Sequence, residues 1–192
     1  MGKRLIIGMS GASGAPLTVE LLRQLRDRHP EVETHLIVTK GGEMTLRQET
    51  GMGLEELSAL TCICHENANI GASIASGSFK TMGMIVVPCS MKTVAGVASG
   101  YSDNLLLRAA DVCLKERRKL VLAARESPLS TLHLRNLYEA SRLGAVILPP
   151  MLTYYHHPQS LEDCTHHTVS RILSQFDLEE DADQWEGMDE TV

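Results

Sequence analysis

A chain of 192 residues with 43% hydrophobic content has room for one compact domain with a sizeable core, but not for a second full domain. The sequence has no run of the roughly 20 apolar residues that span a membrane, and no signal-peptide pattern precedes its first apolar run, so a cytoplasmic protein with no membrane partner is expected. The five cysteines are scattered and odd in number, which indicates reduced thiols rather than a disulfide framework.

The net charge of −6 is unevenly distributed. Residues 177–192 carry eight acidic side chains and no Lys or Arg, which leaves 18 basic against 16 acidic residues in the rest of the chain. We therefore expect a domain over residues 1–176 and an acidic tail over 177–192, with Trp185 solvated in that tail. A nearly neutral body favours a small phosphorylated ligand over a nucleic acid.

The first predicted strand, Leu5-Ile6-Ile7, runs into a glycine-rich turn that ends at Pro16, and a helix with leucines at helical spacing follows as far as His29-Pro30. The N–H groups at the start of this helix would point at an anion, most simply a phosphate. The spacing matches neither G-x-G-x-x-G nor the ATP-binding P-loop. A tight strand-to-helix turn without a ligand remains an alternative.

Further strands and helices alternate along the chain. A second strand over residues 34–39 delivers Thr39, and residues 41–60 form two short helices broken at Gly51-Met52-Gly53, with Glu49 at the end of the first. Residues 61–80 are rich in small and polar side chains, and 75–80 are predicted to be a loop. A buried strand over 84–88 then leads into Cys89-Ser90-Met91-Lys92-Thr93, which predicts a second anion-binding turn before a helix over 94–100.

The last third repeats the pattern. A helix over 104–117, a strand over 120–124 that ends on Arg125-Glu126, a helix around Leu134 and Leu137, and a strand over 145–148 precede a final helix opened by Ser160 and Asp163. Such alternation predicts a single-domain α/β fold with a doubly wound, mostly parallel sheet, either Rossmann-like or flavodoxin-like.

Polar side chains follow several of the predicted strands and should meet at one edge of the sheet, because the strands are parallel. These positions are Ser13, Thr39, Ser90 to Thr93, and Arg125-Glu126. Hydroxyls and backbone N–H groups with few cations suit flavin mononucleotide (FMN). A dinucleotide would instead require an acidic residue after the second strand, where Thr39-Lys40 stands.

Several linked motifs between residues 3 and 176 resemble the flavin prenyltransferases of the UbiX type, some of which carry the label of phenolic-acid decarboxylase small subunits. The motifs are Gly8-Met9-Ser10-Gly11-Ala12-Ser13-Gly14-Ala15, Pro88-Cys89-Ser90-Met91-Lys92-Thr93, Leu114-Lys115-Glu116-Arg117-Arg118, Arg125-Glu126-Ser127-Pro128-Leu129-Ser130 and Tyr155-His156-His157-Pro158-Gln159-Ser160.

The resemblance implies transfer of a dimethylallyl group from dimethylallyl monophosphate to N5 and C6 of reduced FMN. The product, prenylated FMN, would serve a separate UbiD-type decarboxylase. The resemblance also implies a homo-oligomer, a dodecamer built from trimers, with sites between subunits.

The family's functional residues fall on matching positions here. FMN would be held by Gly11, Ala12, Ser13, Thr39, Ser90, Met91, Lys92, Thr93 and Arg125. The donor phosphate would be surrounded by Arg108, Lys115, Tyr155 and Arg171, with Glu49 nearby. Ser13 and Glu126 would handle protons, so the implied catalytic residues are Ser13, Glu49, Lys115 and Glu126.

No metal is expected. The sequence lacks an Asp-Asp-x-x-Asp cluster of the kind that holds Mg²⁺ on a diphosphate, and neither Cys62-x-Cys64-His65 nor the two His-His pairs have a complementary ligand set at metal-binding spacing.

One segment departs from the family's motif: related enzymes often have a Trp-x-Ala-Pro segment where this chain has Ile70-Gly71-Ala72-Ser73-Ile74-Ala75. From spacing alone, a solvated helix face would be the favoured interpretation of Arg108 and Lys115.

Two other functions remain possible on the sequence alone. One is an FMN-dependent decarboxylase of the cysteine-decarboxylase superfamily, although its Pro-Ala-Ser-Ala-Asn-Thr signature is replaced here by Pro88-Cys89-Ser90-Met91-Lys92-Thr93. The other is a non-catalytic flavin carrier subunit of an aromatic-acid decarboxylase, which would have no reason to retain Lys115, Tyr155 and Arg171 together.

Overall fold

The computed structural model describes residues 3–178 and residue 187. Its strands are β1 (Lys3–Met9), β2 (Val32–Val38), β3 (Ile63–His65), β4 (Gly83–Cys89), β5 (Lys119–Ala124) and β6 (Ala145–Ile147). Its α-helices are α1 (Ala15–Arg28), α2 (Lys40–Thr50), α3 (Leu54–Ser58), α4 (Met91–Ser99), α5 (Leu105–Lys115), α6 (Thr131–Arg142) and α7 (Leu161–Ser174). A 3₁₀ turn covers Ser73–Ala75.

The six strands form one sheet in the order β3-β2-β1-β4-β5-β6, and all neighbouring pairs are parallel. This is the Rossmann order, so the structure confirms the predicted α/β class and decides between its two variants. The chain reverses its direction of winding between β1 and β4. In open α/β sheets, ligands bind beyond the carboxyl ends of the strands at such a reversal.

Helices cover both faces of the sheet. Leu5, Ile7 and Met9 of β1 pack in one cluster with α1 and α7, while Ile6 packs on the opposite face in a second cluster with α4, α5 and α6. Alternate side chains of a strand point to opposite faces, so a continuous apolar strand such as β1 serves both cores.

The predicted helices and strands are confirmed with boundaries that shift by a few residues. Glu49 lies near the end of α2, Asn104 caps α5, and Ser160 and Asp163 form a reciprocal cap on α7. No strand was predicted within residues 61–80, but Ile63–His65 pairs with β2 as an edge strand. Three residues with polar neighbours carry too little periodicity to indicate a strand.

The body packs slightly further than residue 176. Leu178 is buried, and its N–H donates to Leu173 O at 3.2 Å. Trp185 and the acidic tail beyond Leu178, apart from Gly187, lie outside the described residues. Within residues 3–178, no helix is both long and apolar enough to cross a membrane.

Candidate active site

Backbone hydrogen bonds connect the carboxyl ends of four neighbouring strands at one edge of the sheet. Thr39 N donates to Met9 O at 2.9 Å, Ser10 N donates to Pro88 O at 3.1 Å, and Arg125 N donates to Cys89 O at 3.0 Å. The turns that follow β1, β2, β4 and β5 are therefore neighbours. The structure brings together Ser13, Thr39, Ser90 and Arg125, as the sequence predicted for a parallel sheet.

Ser10 ties the first turn to the second. Its hydroxyl donates to Pro88 O at 3.0 Å and accepts from Ser90 N at 2.7 Å, and the residue is buried. These bonds fix the start of α4 relative to the end of β1. Sequence analysis did not single out this residue, although a hydroxyl that directly follows an apolar strand is a signal for such a bridge.

Glu49 occupies the start of α1. Its Oε2 accepts from Gly14 N at 2.9 Å and from Ala15 N at 2.8 Å, and the Ser13 hydroxyl also donates to this carboxylate. Partial burial alone would raise the pKa of Glu49, but these hydrogen bonds and the positive charge of Arg125 hold it below its ordinary value. The anion at this helix start is thus a carboxylate.

This corrects the expectation that the N–H groups at the start of α1 point at a phosphate, because those of Gly14 and Ala15 are bound by Glu49. Two glycines of this turn have different roles: Gly14 has φ 126°, which favours glycine, whereas Gly11 allows close packing. A Cβ added at Gly11 would lie 3.0 Å from Gly41 Cα, so the turns after β1 and β2 pack backbone to backbone.

The second predicted anion-binding turn lies at the start of α4 and differs in character from the first. Ser90 caps the helix, and its hydroxyl accepts from Thr93 N at 3.4 Å and lies 3.1 Å from Thr93 Oγ1. Met91 and Thr93 are buried, whereas Lys92 is exposed. Thr39 similarly caps α2, accepting from Gly42 N at 3.0 Å. The two hydroxyls serve as caps in addition to any role toward a ligand.

Arg125 and Glu126 follow β5 and are both exposed at this edge. The Glu126 carboxylate accepts from Ser127 N at 3.0 Å. Cys89, at the end of β4, is fully buried, and burial raises the pKa of its thiol, as expected for a packing residue rather than a nucleophile.

The four residues expected to surround the donor phosphate do not meet within one chain. Arg108 and Lys115 lie on α5, which packs on one face of the sheet, whereas Arg171 lies on α7, which packs against α1 on the other. Tyr155 lies before α7 and contacts it through His167, with Tyr155 Oη 3.3 Å from His167 Nε2. Within one chain these residues therefore form two separate groups.

Both basic side chains of α5 have carboxylate partners. Arg108 Nη1 donates to Asp111 Oδ2 at 2.6 Å, and Lys115 Nζ lies 2.5 Å from Glu116 Oε1. Arg108 Nε also donates to Ala75 O at 3.2 Å, so the end of the 3₁₀ turn is held against the helix. Glu116 lies within one of the matched motifs, but sequence spacing did not reveal either pairing beforehand.

Two histidines of the motifs considered as metal ligands have other partners. The His65 ring lies 2.9 Å from His35 Nδ1, and His166 Nδ1 lies 3.1 Å from Glu20 Oε1. In the part of the chain that the structure describes, no group of three or more His, Cys, Asp or Glu side chains could hold a metal ion.

Comparisons with known proteins agree with this architecture. The family model described as Flavoprotein matches residues 1–173. The chain is 50% identical over 188 residues to the flavin prenyltransferase UbiX of Escherichia coli strain K12, covering 96% of this chain and 99% of that protein.

Two solved structures are closely similar. A dodecameric FMN-dependent UbiX-like decarboxylase from Escherichia coli O157:H7 has a TM-score of 0.93 and 51% identity, with 96% of this chain and 100% of that chain covered. AnUbiX (PadA1), solved in complex with FMN and dimethylallyl pyrophosphate, has a TM-score of 0.92 and 44% identity, with 98% of this chain and 100% of that chain covered. Similarity at this level over nearly the whole chain identifies the family: the chain belongs to the UbiX-type flavin prenyltransferases of the Flavoprotein family.

Proposed function

We propose that the protein transfers a dimethylallyl group from dimethylallyl monophosphate to N5 and C6 of reduced FMN. The observation that carries this proposal is the cluster of Ser13, Glu49 and Arg125 at the reversal point of the sheet, where a bound flavin would meet a hydroxyl, a carboxylate and a guanidinium. The family membership of the chain supports the same reaction.

The residues at this edge fit FMN. Backbone and hydroxyl donors come from three adjacent turns, and Arg125 and Lys92 add two positive charges, which suits a monophosphate on a ribityl chain better than a diphosphate. Because Glu49 already occupies the start of α1, the flavin phosphate is assigned to the start of α4. The residues proposed to hold FMN are Gly11, Ala12, Ser13, Thr39, Ser90, Met91, Lys92, Thr93 and Arg125. Reduced FMN supplies the nucleophilic positions of the ring system.

The donor phosphate is assigned to Arg108, Lys115, Tyr155 and Arg171. Cleavage of the allylic C–O bond builds negative charge on the departing phosphate, so fixed cations and a phenol donor stabilise the transition state more than the substrate. The monophosphate is preferred to the diphosphate, because three cationic side chains and one phenol can neutralise a single phosphate without a bound metal.

The phosphate site is proposed to form between subunits. Arg108 and Lys115 lie on the opposite face of the sheet from Arg171, so they can reach one phosphate together only if they belong to different copies of the chain. The Escherichia coli O157:H7 protein, which is 51% identical to this chain, is dodecameric, and this supports a homo-oligomer. The sites would then be built only in the assembled protein.

Ser13, Glu49 and Glu126 are proposed to handle protons around the flavin. Glu49 is held as a carboxylate and accepts from the Ser13 hydroxyl, so it can take the hydroxyl proton while Ser13 Oγ takes a proton from the bound ligand. Glu126, exposed at the same edge, can exchange a proton with solvent.

The decisive experiment incubates purified protein without oxygen with reduced FMN and dimethylallyl monophosphate, followed by mass spectrometry of the extracted flavin. A gain of one C5 prenyl unit is expected. Recovery of unmodified FMN from folded, flavin-bound protein would overturn the proposal and favour a carrier or a decarboxylase. Addition of the product to a UbiD-type apo-decarboxylase tests the proposed partner, and cell fractionation tests the proposed cytoplasmic location.

A further inference from the structure

Three aromatic rings form a cluster where the loop before α7 meets that helix. Tyr155 Oη lies 3.3 Å from His167 Nε2, and the rings of His156 and His167 are stacked with centroids 4.2 Å apart. His156 Nδ1 lies 3.0 Å from Thr153 Oγ1. His167 is only 7% exposed, whereas Tyr155 is 52% exposed. A buried imidazole on a helix therefore holds the oxygen of a phenol whose ring faces solvent.

The number of protons on Tyr155 and His167 limits the hydrogen bonds that the two side chains can donate. A phenol has one proton, and a neutral imidazole has one N–H and one acceptor nitrogen. If the Tyr155 proton is directed to His167, it is not available to another acceptor. If His167 instead carries its proton on Nε2, it donates to Tyr155 Oη, and the phenol proton can be donated elsewhere. A phosphate oxygen is the stronger acceptor, because it is charged.

The surroundings of His167 make it a suitable anchor. The residue belongs to α7, whose Val169, Ile172 and Leu173 are buried in the core, so its backbone is fixed. Stacking on His156, which is itself tied to Thr153, restrains the imidazole ring. Tyr155, by contrast, lies in a turn and depends on such contacts for its orientation.

We propose that His167 is a positioning residue for the donor phosphate: its Nε2–H donates to Tyr155 Oη, orients the phenol and leaves the phenol proton for a phosphate monoester oxygen. This inference rests on the proposed function, because it takes Tyr155 as a phosphate ligand. His167 itself touches neither substrate nor flavin in this scheme. The effect should therefore appear in phosphate recognition and depend entirely on the Tyr155 hydroxyl.

The test uses the assembled protein and four variants: His167→Phe, His167→Gln, Tyr155→Phe and the double variant Tyr155→Phe/His167→Phe. Phenylalanine keeps an aromatic ring in the buried position but removes the donor, and glutamine restores an N–H near Nε2. His166→Gln is the matched control, because this neighbouring histidine of α7 contacts Glu20 and Gln24 on α1 instead. Size-exclusion chromatography and FMN titration verify assembly and flavin binding for each protein.

We expect His167→Phe to raise both KM and the calorimetric Kd for dimethylallyl monophosphate by about five- to tenfold, the effect of one lost hydrogen bond. The FMN affinity of His167→Phe should stay unchanged, and His166→Gln should keep the wild-type KM and Kd for the monophosphate. His167→Gln should recover most of the affinity that His167→Phe loses. In the Tyr155→Phe background, His167→Phe should have no further effect.

Three results would overturn the inference: wild-type phosphate affinity in His167→Phe, additive losses in the double variant, or no recovery in His167→Gln. Failure of the proposed function is a separate result, since it would appear as a wild-type protein that binds dimethylallyl monophosphate but leaves FMN unmodified. The calorimetric cycle still decides the role of His167 in that case. A wild-type protein that does not bind the monophosphate at all would overturn both.

Discussion

Glu49 Oε2 lies 2.8 Å from the backbone nitrogen of Ala15, although the two residues are 34 positions apart. A carboxylate from the last turn of α2 therefore caps the start of α1, where the positive end of the helix dipole favours an anion. The same carboxylate accepts from Gly14 N and from the Ser13 hydroxyl. This contact joins two turns of the candidate site, and because it occupies the start of α1, the flavin phosphate is proposed to bind at the start of α4.

Glu49→Ala should lower the free energy of unfolding by about 1 kcal/mol at neutral pH, because two N–H groups at the start of α1 lose their acceptor. The pKa of Glu49 is lowered in the folded state, so its contribution is present above the unfolded pKa and is lost as the pH falls through the folded value. Urea unfolding at neutral pH and at pH about 3 measures this difference.

Gln48→Ala, an exposed change on the same helix, serves as the control for α2 and should show no such pH dependence. A destabilisation by Glu49→Ala that is equally large at both pH values would contradict a role for the ionised carboxylate.

Ser10→Ala should destabilise the protein by about 1–3 kcal/mol and also weaken FMN binding. The substitution removes a buried hydroxyl that donates to Pro88 O and accepts from Ser90 N, so the start of α4 loses its link to β1. Thermal unfolding and flavin fluorescence titration measure the two effects. Ser99→Ala, at the exposed end of α4, is the matched control; an unchanged FMN affinity in Ser10→Ala would refute the proposed phosphate position.

Glu116→Gln should lower the KM for dimethylallyl monophosphate two- to threefold, since the phosphate no longer competes with a carboxylate for Lys115. The effect should be small and should shrink as salt is added, because the pair is solvent-exposed. Steady-state kinetics at low and high ionic strength measure it. Glu139→Gln, which removes the partner of Arg142 on α6, should leave KM unchanged. A higher KM in Glu116→Gln would mean that Glu116 orients Lys115 productively.

Much of the fold follows from local sequence patterns. Continuous apolar strands such as Leu5-Ile6-Ile7, leucines at helical spacing in α1, and the Ser160/Asp163 cap all indicate their elements directly, because each depends on neighbours in sequence. Residues that follow the strands could also be grouped in advance, since parallel strands bring their carboxyl ends to one edge.

Contacts between distant segments could not be predicted in the same way. Nothing near Glu49 in the sequence indicates that it reaches Ala15, and Ser10 becomes a bridge only when β1 and β4 are adjacent. The separation of Arg108 from Arg171 depends on which face of the sheet each helix covers, and local periodicity does not specify that.

Mixing two inactive variants should restore activity if the phosphate site forms between subunits. Lys115→Ala removes a cation on one face of the sheet, and Arg171→Ala removes a cation on the other. An oligomer made of either variant alone should therefore lose most of its turnover. In oligomers reassembled from equal amounts, about a quarter of the sites would combine an intact α5 from one copy with an intact α7 from another.

The measurement compares prenylated FMN formed by the co-assembled mixture with that formed by the two separately assembled variants. Recovery of about a quarter of wild-type turnover is expected. Each subunit of the mixture carries one defect, so a site built within a single chain could never be intact. Absence of recovery, with mixed assembly verified by differential affinity tags, would therefore assign all four phosphate residues to one subunit and contradict their separation across the sheet.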